Sequence, residues 1–320
     1  MKKNDFTFES YLKNISIEYK DEPFLGSFLD QMSYAYQWSK KNLHLISVQS
    51  GNTSAFLMKK NITDEEAFFG FVNAKNNHDL NILWTAVLAK CKERNIKLIK
   101  GPVQGSTFFP YRFVSLTDDL PFFDGECFSK LTEDEFMKNQ NPKKIIAYGS
   151  AIRSNFDNIL KFTKPYFDNF KQKNFTIVHM KKVDDELLKS VHNASNIIFK
   201  NNWGFHELSF EDFKRFFRPS FDVNFKISFY SLYINDQLIG FSKHSELNRD
   251  TLVCKTLGLI PEYQKMGIGN AFAYKLHADV IDCNYKNVIY ALVKKDNRVT
   301  KMPTPDLKII REYSAYEFEI

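Results

Sequence analysis

The chain has 320 residues, 43% of them hydrophobic and 26% charged, with a formal net charge of +6. That length suggests two domains, and the balance is ordinary for a soluble globular protein. The mild positive charge suits an anionic cofactor but falls short of a nucleic-acid binder. No apolar run is long enough to span a bilayer, and MKKNDFTFES has no apolar segment behind its lysines. We therefore expect a cytoplasmic protein with no membrane partner and no secretory signal. Cys91, Cys127, Cys254 and Cys283 are scattered without metal-ligand or redox spacing, so the expectation is reduced thiols and no metal.

In chain order, the first half offers a strand at FFGFVNA (Phe68–Ala74), then a helix, then a strand within KLIKGPV. A boundary is placed near residue 168, after Pro165 and a polar stretch. FTIVHMKK (Phe175–Lys182) reads as a strand. Asp184 is placed to cap a helix whose apolar positions are Leu187, Leu188, Val191, Ala194 and Ile198. Ser209 caps a second helix, which stops before Pro219. Strands at Lys226–Tyr233 and Leu238–Ser245 flank Asn235-Asp236, a hairpin signal because both residues tolerate positive φ. A strand at Thr251–Leu259 follows, then PEYQKMGIG (Pro261–Gly269). A helix then carries a stripe of Ile268, Phe272, Leu276, Val280 and Cys283. NVIYALV (Asn287–Val293) has the continuous apolar character of a strand buried on both faces. YSAYEFEI closes the chain as a strand.

The first-half segment from Phe68 is a fainter copy of the segment from Thr256. Aligning their final strands sets Asn77 against Gly267 and Asp79 against Gly269.

The spacing Gln264-x-x-Gly267-x-Gly269 at a strand-to-helix junction has a physical reading. A helix start leaves backbone N–H groups without intrahelical partners and carries about half a positive charge. Glycine removes the Cβ that would hold an anion away. Such a site suits a pyrophosphate, cradled by the N–H groups of Lys265 to Asn270. Gly258, inside the preceding strand, suggests a bulge that would expose backbone groups to a ligand. Asn297, at the expected end of the buried strand, is placed to touch that ligand.

TLGLIPEYQKMGIG (Thr256–Gly269), with the strand order before it and NVIYALVKKDN after it, resembles the acyl-CoA-binding motif of the GNAT acyltransferase superfamily. The resemblance implies that Leu257 and Leu259, on either side of Gly258, bond the pantetheine arm by backbone groups. It implies that Lys265, Met266, Gly267, Ile268, Gly269 and Asn270, led by Gln264, hold the pyrophosphate. Asn297 would reach the pantetheine or cysteamine end. The whole chain resembles bacterial tandem GNAT proteins through FFGFVNA, KLIKGPVQGSTFFPYR, WGFHELSFEDF and the terminal Arg311-x-Tyr313-x-x-Tyr316. The implied class is α/β (α+β): two tandem GNAT-like domains, residues 1–167 and 168–320, each a mixed, mostly antiparallel sheet flanked by helices. Asp79 opposite Gly269 would repel a pyrophosphate, so the first domain is expected to lack CoA.

The implied function is an acetyl- or acyl-CoA-dependent N-acyltransferase in which a small-molecule amine attacks the thioester directly, without metal or nucleic acid, as a monomer or homodimer. Candidate bases are His206, His244 and Glu246. The tyrosine that GNAT enzymes often place after the last asparagine is missing, and Pro303 and Pro305 disrupt the helix expected there. Two alternatives remain: a tRNA-dependent aminoacyltransferase of related tandem fold, and a non-catalytic CoA-binding module.

Overall fold

A computed structural model describes residues 3–171, 174–180, 183–217, 227–297 and 305–320. The chain forms two compact units. The first comprises residues 1–148, Trp203–His206 and Arg311–Ile320; the second comprises residues 149–202 and Glu207–Ile310.

The first unit opens with helices α1 (Lys3–Glu18) and α2 (Leu25–Asn42). Then come β1 (His44–Ser50), β2 (Thr53–Lys59), β3 (Glu66–Asn73), α3 (Asn77–Glu93), β4 (Leu98–Gly101), β5 (Phe113–Leu116) and α4 (Leu131–Lys138). Its sheet runs β1-β2-β3-β4 and is completed by the last part of β12 (Leu307–Glu319), with β5 also on β12. All these pairings are antiparallel except β3 with β4. Phe69, Trp84 and Phe318 meet at the centre of its core.

The second unit takes up the end of β6 (Lys144–Arg153), α5 (Asp157–Lys171), β7 (Phe175–Met180), α6 (Asp185–Phe199) and α7 (Phe210–Phe217). It continues through β8 (Ile227–Ile234), β9 (Gln237–Asn248), β10 (Thr251–Leu259), a 3-10 turn (Pro261–Tyr263), α8 (Ile268–Asp282) and β11 (Asn287–Lys294). The sheet order β11-β10-β9-β8-β7 is antiparallel except for β10 with β11. This is the expected mixed, mostly antiparallel sheet with flanking helices.

Local chemistry explains the elements. Asp184 accepts the Leu187 N–H at 2.8 Å and starts α6; Ser209 Oγ accepts the Asp212 N–H at 3.2 Å and starts α7. Asn235 and Asp236 both have positive φ, +47° and +62°, matching the twist of the β8–β9 hairpin. Of the expected strand ends, Lys181, Lys182 and Lys226 lie outside the described residues, as do Pro219 and Pro303.

The units differ from the expected division at residues 167 and 168. Ile159 and Phe170 of α5 are buried in one core with Ile268 and Phe272 of α8, so α5 belongs to the second unit. The apolar stripe of α5 finds its cover there, whereas Pro165 merely sits within the helix. Trp203 donates to Glu317 at 2.7 Å, and the last ten residues belong to the first unit. A polar stretch near residue 168 was thus an exposed helix face rather than a linker.

Candidate functional site

The site is built where β10 and β11 separate. Their parallel register runs from Thr251 opposite Asn287 to Cys254 opposite Tyr290 and stops there. On the other side, β10 stays on β9, but Cys254 pairs with His244 while Thr256 pairs with Lys243, leaving Lys255 as the extra residue of a bulge. A bulge bends its strand and interrupts the ladder. Beyond it, Leu257, Gly258 and Leu259 lie opposite Ser242, Phe241 and Gly240.

The bulge therefore falls at Lys255 and not at Gly258, which pairs regularly. Gly258 has another cause: a β-carbon there would lie 2.9 Å from Ile198 Cγ2 and 3.2 Å from Phe199 Cζ. Helix α6 packs too closely for a side chain.

After β10 the 3-10 turn leads into Gln264, whose Nε2 donates back to the Leu259 carbonyl at 2.9 Å. Gln264 thus braces the loop against its own strand. Lys265 has φ +68° and Gly267 φ +87°, and this double left-handed kink swings the chain into α8. Gly267 occupies the N-cap position, so α8 has no side-chain cap. Among the described residues, the N–H groups of Lys265, Met266, Gly267, Ile268 and Gly269 donate to no backbone carbonyl. The Asn270 N–H does bond, to the Gly267 carbonyl at 3.0 Å, so it is not one of the bare donors. A β-carbon on Gly269 would meet nothing within 4 Å. Gly269 thus faces open space, while Gly267 is covered: a β-carbon there would lie 2.8 Å from Tyr166 Cδ1 and 3.6 Å from Phe170 Cε2.

Asn297 is not at the end of β11. The strand ends at Lys294, and Asn297 sits in an exposed turn, its N–H bonded to the Lys294 carbonyl at 2.9 Å. The apolar run ends at Val293, and the charge-rich KKDN sequence that follows turns the chain.

The three candidate bases are each held by other groups. His206 belongs to the first unit, where its Nδ1 bonds the Gly105 carbonyl at 2.9 Å; burial lowers its pKa. His244 is fully buried among Tyr230 and Phe272, with Nε2 2.8 Å from Ser242 Oγ. Burial, followed by the neighbouring His179 and His277, drives its pKa down to about 3. A sealed neutral imidazole cannot exchange protons with a substrate. Glu246 pairs across from Leu252, at the end of β10 away from the loop, and accepts a hydrogen bond from the Tyr285 hydroxyl. The Cys254 thiol, pushed up to about 11 by burial, is inert.

Other residues of the recurring stretches are held in place by their neighbours. Arg311, fully buried, bonds both oxygens of Glu126, and Tyr313 donates to the same carboxylate. Tyr316 donates to Asp134. Arg112 lies between the rings of Tyr111 and Tyr148, 3.6 and 4.0 Å from their centroids.

The first unit contains the same strand–loop–helix segment, closed by its own side chains. The β3–β4 register ends at Phe68 opposite Lys100, and β3 carries its extra residue between Gly70 and Asn73. There the Val103 N–H donates to the Phe69 carbonyl at 2.9 Å, and Gln104 Oε1 accepts the Phe71 N–H at 2.6 Å. What remains is a cavity of about 30 Å3 lined by Tyr11, Asn73, Gln104, Cys127 and Glu133, room for about two waters. Helix α3 is capped: Asn76 accepts the Asp79 N–H at 2.9 Å, and Asp79 accepts the Lys75 N–H at 3.2 Å. Asn76, not Asn77, is therefore the counterpart of Gly267, and Asp79 that of Asn270.

Sequence reasoning missed α5 as a wall of the loop. The signal available was the helical spacing of Ile159, Phe167 and Phe170. It also missed Gln104, for which a single glutamine after a Gly-Pro pair carries no recognisable signal.

Among the described residues, no group of side chains could hold a metal ion and no helix is long and apolar enough to cross a membrane. No family model matches the chain, and no curated protein does. Solved structures do match. A tandem GNAT protein from the clavulanic acid biosynthesis pathway, without AcCoA, is 11% identical with a TM-score of 0.55, covering 99% of this chain and 96% of its own. The GCN5-related glucosamine N-acetyltransferase region of a fungal multi-domain GH3 beta-N-acetylglucosaminidase is 11% identical with a TM-score of 0.55, covering 96% of this chain and 37% of that one. At 11% identity the likeness to both is one of fold, and the chain shares its overall fold with this tandem GNAT structure.

Proposed function

We propose that the second unit binds an acyl-CoA and passes its acyl group to a small amine. The observation that carries this reading is the uncapped start of α8. Five consecutive N–H groups, from Lys265 to Gly269, lack backbone acceptors beside a glycine that faces open space. Backbone donors at a helix start favour an anion with two or more phosphates. The break between β10 and β11 after Cys254 supplies an adjoining strand edge for an extended arm. Leu257 and Leu259 would hold that arm, and Lys265, Met266, Gly267, Ile268 and Gly269 the pyrophosphate; Gln264 shapes the loop.

The bound thioester would supply an activated acyl carbon. The chain's part is to fix that carbon and keep the amine deprotonated. With His206, His244 and Glu246 all engaged elsewhere, proton removal falls to a water chain rather than to any of these side chains. In the first unit, Val103, Gln104 and Asn76 occupy the backbone groups that a second CoA would need, so we propose one CoA site per chain.

The position of those three candidates also favours a second reading, a module that binds acyl-CoA without turnover. Release of free thiol from acetyl-CoA across a panel of amines separates the two. Stabilisation against heat by CoA, set beside charged tRNA, separates both from an aminoacyl-tRNA transferase.

A further inference from the structure

The α5 helix places two aromatic side chains beside the bare loop. Phe162 and Tyr166 are one turn apart on the same face, with ring centroids 5.9 Å apart, and they are 43% and 37% exposed. The adjoining stripe of α5 is anchored, since Ile159, Thr163 and Phe170 are buried. Single exposed apolar residues are common on proteins and need no explanation. This pair differs in its position. The Tyr166 ring lies against Gly267, in the middle of the row of backbone donors. Met266, 54% exposed, projects from the same loop. An anchored helix thus presents an exposed aromatic pair next to a row of backbone N–H donors.

A ligand that binds the donors through a diphosphate and the rings through a flat heterocycle is a nucleotide. We propose that Phe162 and Tyr166 form the platform for the adenine base of the acyl donor. The inference rests on the acyl-CoA reading and makes it narrower. The donor is free acyl-CoA, recognised through its nucleotide, and not an acyl group on the phosphopantetheine arm of a carrier protein, which has no base to stack. Stacking of a base on an aromatic side chain adds affinity without hydrogen-bond selectivity, so the platform discriminates presence of the base rather than its identity.

The test compares acetyl-CoA with acetyl-4′-phosphopantetheine by calorimetry on the full chain. The variants are Tyr166→Leu, which keeps apolar cover over Gly267, and Phe162→Ala, at a position exposed enough to leave folding intact. The expected result is tighter binding of acetyl-CoA by the wild type. Each variant should lose about tenfold in affinity for acetyl-CoA and none for acetyl-4′-phosphopantetheine. Variants that bind acetyl-CoA as the wild type does, or that weaken both ligands equally, would overturn the platform and leave the acyl-CoA reading standing. A wild type that binds neither ligand would overturn both.

Discussion

Asn76 and Gly267 hold the same place in two strand–loop–helix segments, and only Asn76 caps its helix. Asn76 accepts the Asp79 N–H, whereas Gly267, with φ +87°, offers no side chain and leaves the donors around it bare. One helix start is thereby capped by its own chain and the other is left uncapped.

The two glycines of the open loop should respond in opposite ways to alanine. Gly269 is helical and faces open space, so Gly269→Ala should stabilise the protein by about 0.5–1 kcal/mol. Gly267 has a left-handed backbone and Tyr166 against it, so Gly267→Ala should destabilise by about 1 kcal/mol or more. Chemical denaturation followed by circular dichroism measures both. Equal effects of the same sign would show that the loop geometry is wrong.

The closed segment should stay closed. Asn76→Ala should cost about 1 kcal/mol of stability by removing the cap. Neither it nor Asp79→Gly should create a second CoA site, because Val103 and Gln104 still occupy the Phe69 carbonyl and the Phe71 N–H. A stoichiometry of two in a CoA titration of either variant would refute this.

Much of the second unit was legible from pattern and punctuation. Asp184, Ser209 and the Asn235-Asp236 turn act locally, so their signals are complete within a few residues, and β10 runs over the expected Thr251–Leu259. The glycine pair was legible for the same reason. What escaped depends on partners distant in sequence. Gly258 answers to Ile198 and Phe199, α5 answers to α8, and His244 is sealed by Tyr230 and Phe272. The register of the fainter copy slipped by one residue because strands fix a period of two but not which loop residue becomes the cap. His244 and Glu246 were hard to read because a polar residue on a strand looks alike whether it faces a cleft or lies beneath a helix.

Acidity should weaken the second unit. Burial holds His244 down to about 3 and His277 down to about 4, against an ordinary value of 6.5. Between pH 6.5 and about 4 the unfolded chain takes up protons that the native unit refuses, so stability falls as pH falls. The slope approaches about 1.4 kcal/mol per pH unit for each histidine. His244→Gln should flatten the pH dependence of stability, measured by circular dichroism, over that window. An unchanged slope would show the imidazole to be solvated.

Glu133 in the first unit should act with the opposite sign. Burial pushes it up to about 7 from 4.5, so the native unit holds a proton that the unfolded chain releases. Its effect is a loss of stability as pH rises from 4.5 through 7. All three tryptophans, Trp38, Trp84 and Trp203, belong to this unit, so their fluorescence follows its unfolding. Glu133→Gln keeps an acceptor for the Lys130 N–H and should remove that pH dependence. A fluorescence midpoint whose pH profile matches the wild type would contradict the assignment.

Arg311 and Glu126 should be worth little as a pair and much as a loss. Both are fully buried, and removing one leaves the other charge without its partner. Arg311→Met should destabilise the first unit by about 3–5 kcal/mol, with much of that recovered in Arg311→Met combined with Glu126→Leu. Tryptophan fluorescence in denaturant reads both; a small effect of the single change would place the pair in water.

The central claim is that the bare N–H groups at the start of α8 bind a diphosphate. A calorimetric titration with acetyl-CoA, run on the wild type and on Gly269→Glu, tests it most directly. Gly269→Glu sets a carboxylate in open space beside those donors and should fold like the wild type. The account predicts one acetyl-CoA per wild-type chain and no detectable binding by Gly269→Glu. Absence of binding by the wild type, or equal affinity in the folded variant, would contradict it.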